Sequence, residues 1–148
     1  MQPDFHHGLL VGYLMDTSTP AVTVVIPVYN NGARMLDECY AALAPVLDSL
    51  DRPCEVVFVD DGSGDETLEA LRRLHRRDAR VRVVELAANF GQHAAFSAGF
   101  DVARGDYIVT MDADLQADPR DLPRLLAPLR EGYDLVSGVR TPRHDPAV

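Results

Sequence analysis

An α/β fold, with a mostly parallel sheet and helices on both of its faces, is what this sequence predicts, and three observations predict it. Short runs rich in β-branched residues recur at 22–26, 56–59, 81–84, 107–111 and 135–136. Between them lie segments whose apolar residues have helical spacing. Clusters of Asp, Asn and Gly follow several of the runs, at the strand ends where open parallel sheets bind their ligands. Strand and helix alternate along the chain, which implies crossover connections and cover on both faces.

The elements follow in order. Residues 1–20 read as an N-terminal extension and 21–148 as one compact domain. The apolar stretch 9–15 is far shorter than the ~18–20 residues a membrane span needs. It lacks a basic preceding region and makes a poor signal peptide. His6 and His7 are only a pair and do not suggest a metal site. The first strand, 22–26, is expected to end at Pro27, which donates no ladder hydrogen bond. A helix over 35–50 follows, and Pro45 is expected to kink it or end it early. The second strand, 56–59, leads to a helix over 66–77 with Leu68, Leu71 and Leu74 on one face. Ser63 and Glu66 have the spacing of a capping box for it. The third strand, 81–84, precedes an Ala-rich helix over 92–104. The fourth strand, 107–111, precedes a helix over 121–131, with Pro123 tolerable in its first turn. A fifth strand is expected at 135–136. Right-handed crossovers give the strand order 3-2-1-4 with the fifth beyond, and cluster the loops at one edge.

Composition narrows the function. The chain has 148 residues, 47% of them hydrophobic, which is enough for a real core. A net charge of −9 argues against nucleic acid as a partner, since such proteins carry broad basic surfaces. It still allows a phosphorylated small ligand held through a divalent cation. All 14 basic residues are Arg, which we read as coding bias. Arg72, Arg73, Arg76, Arg77, Arg80 and Arg82 form a cluster, mostly opposite the Leu face of the second helix. It reads as a solvated outer face, with contact to anionic lipid headgroups as the alternative. Cys39 and Cys54 fit neither a zinc motif nor a disulfide framework, and read as buried thiols suited to a reducing cytoplasm.

Three loops carry candidate chemistry. The first is Ile26-Pro27-Val28-Tyr29-Asn30-Asn31-Gly32. It is either a plain strand-to-helix loop or one that lays Tyr29 against a flat ring, with loop amides near a ligand. The second is Asp60-Asp61-Gly62-Ser63-Gly64-Asp65-Glu66. Its partial G-x-G lacks a third Gly, since Thr67 stands there, and two acids precede it where a dinucleotide's phosphates would approach. That argues against a dinucleotide fold. Asp60 and Asp61 suit a base N–H or ribose hydroxyls. The third is Met111-Asp112-Ala113-Asp114-Leu115-Gln116. Alternation along an extended chain points both acids the same way. Two like charges so close repel, and a divalent cation relieves the conflict; oxygen ligands suit Mg²⁺ or Mn²⁺. Gln116 continues the spacing as a further oxygen donor. A solvated acidic turn is the plainer reading.

In this order, over about 21–140, the motifs resemble glycosyltransferase family 2. Within it they are most similar to polyprenyl-phosphate sugar synthases of the dolichyl-phosphate mannose synthase type. The Val24-Val25-Ile26-Pro27-Val28-Tyr29-Asn30 and Val57-Phe58-Val59-Asp60-Asp61-Gly62-Ser63 runs and the Asp112-Ala113-Asp114 triplet carry the wider likeness. Asn89-Phe90-Gly91-Gln92-His93-Ala94-Ala95, with Gly99, Leu115-Gln116 after the acids, and Gly138-Val139-Arg140 carry the narrower one. The resemblance implies a Rossmann-like GT-A nucleotide-binding fold and metal-dependent, inverting transfer from a UDP- or GDP-sugar. It implies a polyprenyl phosphate acceptor at the cytoplasmic face of a membrane. Pro27, Tyr29, Asn30, Asp60 and Asp61 would hold the nucleoside. Asp112, Asp114 and Gln116 would hold Mg²⁺ or Mn²⁺ on the diphosphate, and Arg140 would approach a phosphate. Asp112, Asp114 and Arg140 would thus carry the catalysis.

Family members usually continue beyond the G-x-R segment. The expectation is therefore a domain that stops short of the full acceptor region, and Ala117 departs from many lipid-phosphate enzymes. Two other readings compete. An aspartyl phosphohydrolase also places Asp-x-Asp after a strand, but it needs a lysine and this chain has none. A nucleotide-sugar-binding module without catalysis would share the same motifs.

Overall fold

The computed structural model describes residues 20–138. Its sheet has four parallel strands: β1 (Val22–Val28), β2 (Cys54–Asp60), β3 (Val81–Glu85) and β4 (Tyr107–Thr110). Their order is β3-β2-β1-β4, as right-handed crossovers require. The crossovers are α1 (Gly32–Asp48), α2 (Thr67–Arg77) and α3 (Gln92–Val102). After β4, a 3₁₀ turn at Pro119–Asp121 runs into α4 (Leu122–Arg130).

Alternation along the strands divides the core. Val24, Ile26, Val56 and Phe58 face Leu36 and Leu43 of α1, Leu71 and Leu74 of α2, and Leu122 and Leu126 of α4. Val25, Val57 and Val59 face the other way, against Ala95 of α3. β1 and β2 are thus apolar on both faces, which is why they read as continuous hydrophobic runs. Each such side chain, fully buried, contributes about 1.5–3 kcal/mol. Gly99 lets α3 lie close to the sheet, since a Cβ there would stand 2.3 Å from Cγ1 of Val25.

Three local expectations change. Pro27 does not end β1, which runs to Val28. The Val28 carbonyl accepts from Asp61 on the β2 side and the Val25 carbonyl accepts from Met111 on the β4 side. Alternation puts Pro27 on the β4 side, where the paired register has already stopped at Val25, so its missing donor costs no ladder bond. Pro45 does not end α1, which continues to Asp48. The carbonyl it strands, that of Ala41, is on the exposed side, and buried Val46 and Leu47 hold the last turn to the core. No fifth strand forms at 135–136: Leu135 is 85% exposed, and two apolar residues without a neighbouring ladder have nothing to pair with.

Cys39 and Cys54 are both buried free thiols. The arginine cluster is largely neutralised. Arg72 pairs with Glu85, Arg76 with Glu69, Arg77 with Asp37, Arg80 with Asp48 and Asp78, and Arg82 with Glu55. This favours the solvated-face reading. The N-terminal extension and Arg140 lie outside the described residues.

Candidate functional site

Because every strand is parallel, the loops after β1, β2, β3 and β4 meet at one edge of the sheet. The first two are tied side to side. Asn30 takes the left-handed conformation, with φ of 50°, which Asn tolerates better than most residues. Its amide donates to Ser63 Oγ at 2.9 Å, and its Oδ1 accepts from the Gly64 amide at 2.8 Å. The Gly32 amide donates to Thr67 Oγ1 at 2.9 Å. The expected capping box is therefore absent. Ser63 donates to Asp60 instead, Glu66 accepts from the Ala33 amide, and Asp65 takes the free Thr67 amide at the start of α2. The side chains that would cap the helix join the two loops.

Asp61 fastens the third loop. Its Oδ1 accepts from the Phe90 amide at 2.8 Å and its Oδ2 from the Gly91 amide at 2.9 Å. Gly62 brings the same loop close: a Cβ there would stand 2.4 Å from the Ala88 carbonyl carbon and 2.6 Å from the Asn89 nitrogen. Both Asp60 and Asp61 are buried, at 1% and 4% exposure. These two carboxylates are built into the frame of the site rather than standing free over it.

The fourth loop leaves β4 at Thr110. Met111 and Ala113 are buried while Asp112 and Asp114 are exposed, so alternating burial carries past the end of β4 into the turn at 113–114. Just after it Leu115 takes a positive φ of 58°. Asp114 Oδ1 accepts the Gln116 amide at 3.0 Å, and Gln92 Nε2 at the start of α3 donates to Asp112 Oδ1 at 3.0 Å. Beneath this turn, burial and then the nearby Asp114 charge push the Cys39 thiol up to about 11, so it stays a protonated thiol and offers no nucleophile.

Between these loops lies a cleft of about 300 Å³, lined by Pro27, Val28, Tyr29, Asp61, Asn89, Gly91, Gln92 and Ala95. Tyr29 stands at its side, 49% exposed. Of the expected residues, Pro27, Tyr29 and Asp61 line the cleft. Asn30 and Asp60 sit in the bonds between the first two loops. Asp112, Asp114 and Gln116 form the adjoining turn, reached through Gln92. Asn89, Gln92 and Ala95 line the cleft without having been assigned a role from sequence. The signal in the sequence was a glycine directly before an expected helix: Gly91 has a φ of 92° and is the residue from which α3 starts beside the cleft.

The donor set suits a hard divalent cation. Asp112 and Asp114 offer exposed carboxylate oxygens on one turn. Among the described residues no three His, Cys, Asp or Glu side chains gather into a complete cage. Mg²⁺ and Mn²⁺ held with a phosphorylated ligand need none, since one or two carboxylates plus phosphate and water oxygens fill the shell.

Known proteins resemble this chain in sequence and in fold. Over 127 residues the chain is 46% identical to the undecaprenyl-phosphate 4-deoxy-4-formamido-L-arabinose transferase of Pseudomonas paraeruginosa, covering 85% of this chain and 37% of that protein. It is 44% identical to the protein of the same name from Edwardsiella ictaluri, over 84% of this chain and 38% of that one. The chain thus spans under two fifths of the length of these relatives. Among solved structures, the mannosyltransferase PcManGT from Pyrobaculum calidifontis, in complex with GDP-Man and Mn²⁺, superposes with a TM-score of 0.54 at 32% identity. That match covers 69% of this chain and 30% of the other. S. aureus TarS in complex with UDP superposes with a TM-score of 0.55 at 26% identity, over 74% of this chain and 32% of the other. The fold is the Rossmann-like GT-A fold expected from the motifs. The family model for glycosyl transferase family 2 matches residues 23–146, and with that extent of match the chain belongs to glycosyl transferase family 2.

Proposed function

We propose that this chain is the donor-binding part of a metal-dependent transferase that moves a sugar from a UDP- or GDP-sugar to a polyprenyl phosphate. The observation that carries this is the pairing of a cleft of about 300 Å³ with a turn presenting Asp112 and Asp114 to solvent at its side. Tyr29 and Pro27 offer flat apolar surface to a nucleoside base. Asp61 lines the cleft and keeps acceptor capacity beyond the loop bonds it already makes, since a carboxylate has about four lone-pair sites, while Asp60 would act on the nucleoside through the loop it holds by Ser63. Asn30 sets the loop that carries Tyr29. On this reading residues 21–148 are the nucleotide-sugar-binding domain, preceded by the 1–20 extension.

Asp112 and Asp114, with Gln116, would hold Mg²⁺ or Mn²⁺ against the diphosphate. Held there, it would supply Lewis-acid stabilisation of the charge that grows on the leaving phosphate. The acids would set its position, and in-line attack by the acceptor would invert the anomeric carbon. A lipid phosphate is already anionic at neutral pH, because a phosphomonoester's second pKa is about 6. It needs no general base from the protein. The names of the relatives support a lipid-phosphate acceptor, and the ligands of PcManGT and TarS support a metal-bound nucleotide. On this reading the reaction takes place at the cytoplasmic face of a membrane. None of the described helices is long and apolar enough to cross one, so contact would be peripheral or through other segments.

Calorimetry of UDP and GDP binding, with Mn²⁺ and with a chelator, tests the reading. One of the two nucleotides should bind at least roughly tenfold more tightly with metal, about 1.4 kcal/mol. Asp112→Asn and Asp114→Asn should each abolish most of that gain. Equal affinity with and without metal would remove both acids from the ligand set.

A further inference from the structure

We propose that Gln92 is a positioning residue for the metal-side acid Asp112, and that Asp61 holds Gln92 in place through the loop before α3. The inference rests on the metal-dependent reading above and adds a residue to it. Its basis is a continuous set of contacts. Both carboxylate oxygens of Asp61 accept amides of successive loop residues, Phe90 and Gly91. The next residue is Gln92, whose side-chain amide donates to Asp112 Oδ1 at 3.0 Å.

Each step is constrained. Gly91 has a φ of 92°, a conformation that L side chains rarely adopt, so the path from loop to helix is set by backbone geometry. Gly62 presses the preceding Ala88 and Asn89 backbone at distances that leave no room for a Cβ. Gln92 then begins α3, and α3 is fixed to the sheet by buried Ala95 and by the close approach at Gly99. The side chain of Gln92 thus starts from a rigid point and spans to a different loop, twenty residues further along the chain.

The chemistry fits a supporting group. An amide N–H donated to one oxygen of a carboxylate fixes that carboxylate's rotation and leaves the other oxygen for a cation. Groups that orient ligating carboxylates typically change metal affinity about 10–100-fold when removed. Gln92 is itself exposed, so the low end of that range applies. A neutral amide suits this task better than a cationic donor, because it orients Asp112 without cancelling the charge that draws the metal. Asp61, by the same contacts, links the nucleoside side of the cleft to the metal side.

The test is a Mn²⁺ titration of UDP and GDP binding to the 148-residue chain and to Gln92→Met. Met keeps the length and helix propensity of Gln and removes the donor. The Mn²⁺ concentration for half-maximal nucleotide binding should rise about tenfold, with the thermal midpoint in chelator unchanged. Asp112→Asn supplies the decisive background: Gln92→Met should cause no further loss there, because its effect runs through Asp112. An unshifted Mn²⁺ midpoint in Gln92→Met overturns the inference while the metal-dependent reading stands. Losses that add in the double variant also overturn it, by showing that Gln92 acts on the nucleotide directly. If the parent chain binds nucleotide with no response to Mn²⁺, the functional reading itself fails and takes this inference with it.

Discussion

Glu55 is 2% exposed and lies toward the end of the sheet remote from the cleft, beside Thr23 of β1. It accepts from Thr23 Oγ1 at 2.8 Å, from the Arg104 amide at 2.9 Å, and from the guanidinium groups of Arg104 and Arg82. Arg82 also donates to the Val102 carbonyl at 2.7 Å, so this one carboxylate ties β1, β2, β3 and the end of α3 together. Burial works to raise its pKa, but the bonds from Arg104, Thr23 and Arg82 outweigh burial and hold it below the ordinary carboxylate range. A folded value below the unfolded one means the stabilisation is present in full above the unfolded pKa. It is lost as pH falls through the folded value. The thermal midpoint should therefore fall as pH drops below about 4, the ordinary range for Glu. Glu55→Gln should cost about 2 kcal/mol at pH 7 and flatten that acid limb, read by thermal melts across pH. A limb as steep in the variant as in the parent would show that other carboxylates carry it. Such a network was not legible in the sequence, because its members are scattered from Thr23 to Arg104 and only the sheet brings them together. Asp61 is a related case. Its place after a strand marked it for ligand contact, but its bonds to Phe90 and Gly91 depend on a loop nearly thirty residues away.

At the scale of elements, the strands and helices were legible because period-2 and period-3.6 patterns are local. Four of the five expected strands form, and the four helices form within a few residues of their expected bounds. The failures are places where a neighbour decides. The pair 135–136 has the composition of a strand but no ladder to join, and Ser63 and Glu66 have the spacing of a cap but find partners in another loop. Two glycines of the second loop make the point testable. Gly62 has a φ of +70°, and a Cβ there would strike the Ala88 and Asn89 backbone. Gly64 has open space around its missing Cβ and no such φ. Gly62→Ala should destabilise the chain by about 2–4 kcal/mol, from backbone strain added to overpacking. It should also push the 88–91 loop off Asp61 and weaken nucleotide binding. Gly64→Ala should stay within about 0.5 kcal/mol of the parent. Denaturant melts of both variants check this, and a Gly62→Ala chain as stable as Gly64→Ala would mean the two loops do not rely on their close contact.

At the scale of the whole molecule, strand order does the assembling. Motifs spread from Ile26 to Gln116 in sequence converge because all four strands point the same way, and the order β3-β2-β1-β4 puts the first and last motif loops on neighbouring strands. That convergence followed from the alternation of elements alone. The charge distribution did not, since five arginines of the cluster read as basic in sequence pair with Glu69, Glu85, Asp37, Asp48, Asp78 and Glu55. With a net charge of −9, the chain has little field to draw it to an anionic membrane. The lipid phosphate acceptor proposed above would then be recognised locally, by a group that contacts the phosphate itself. Arg140 is our proposal for that group, on the resemblance of Gly138-Val139-Arg140 to the family's G-x-R segment. Its guanidinium can bind phosphate with two parallel hydrogen bonds. Arg140→Ala should lose sugar transfer to a polyprenyl phosphate by roughly 10–100-fold, the equivalent of about 1.5–3 kcal/mol for a charge-assisted contact. It should leave metal-dependent nucleotide affinity close to that of the parent. Arg140→Lys should recover only part of the loss, because a point charge on a flexible stem cannot reproduce the planar fork. The measurement is radiolabelled transfer to polyprenyl phosphate in detergent, beside a soluble saccharide as the competing acceptor. A saccharide that accepts at least as well as the lipid, with no effect of Arg140→Ala, would sink the lipid-phosphate assignment. The donor-binding reading would survive that result, since it rests on Asp60, Asp61, Asp112 and Asp114 and not on Arg140.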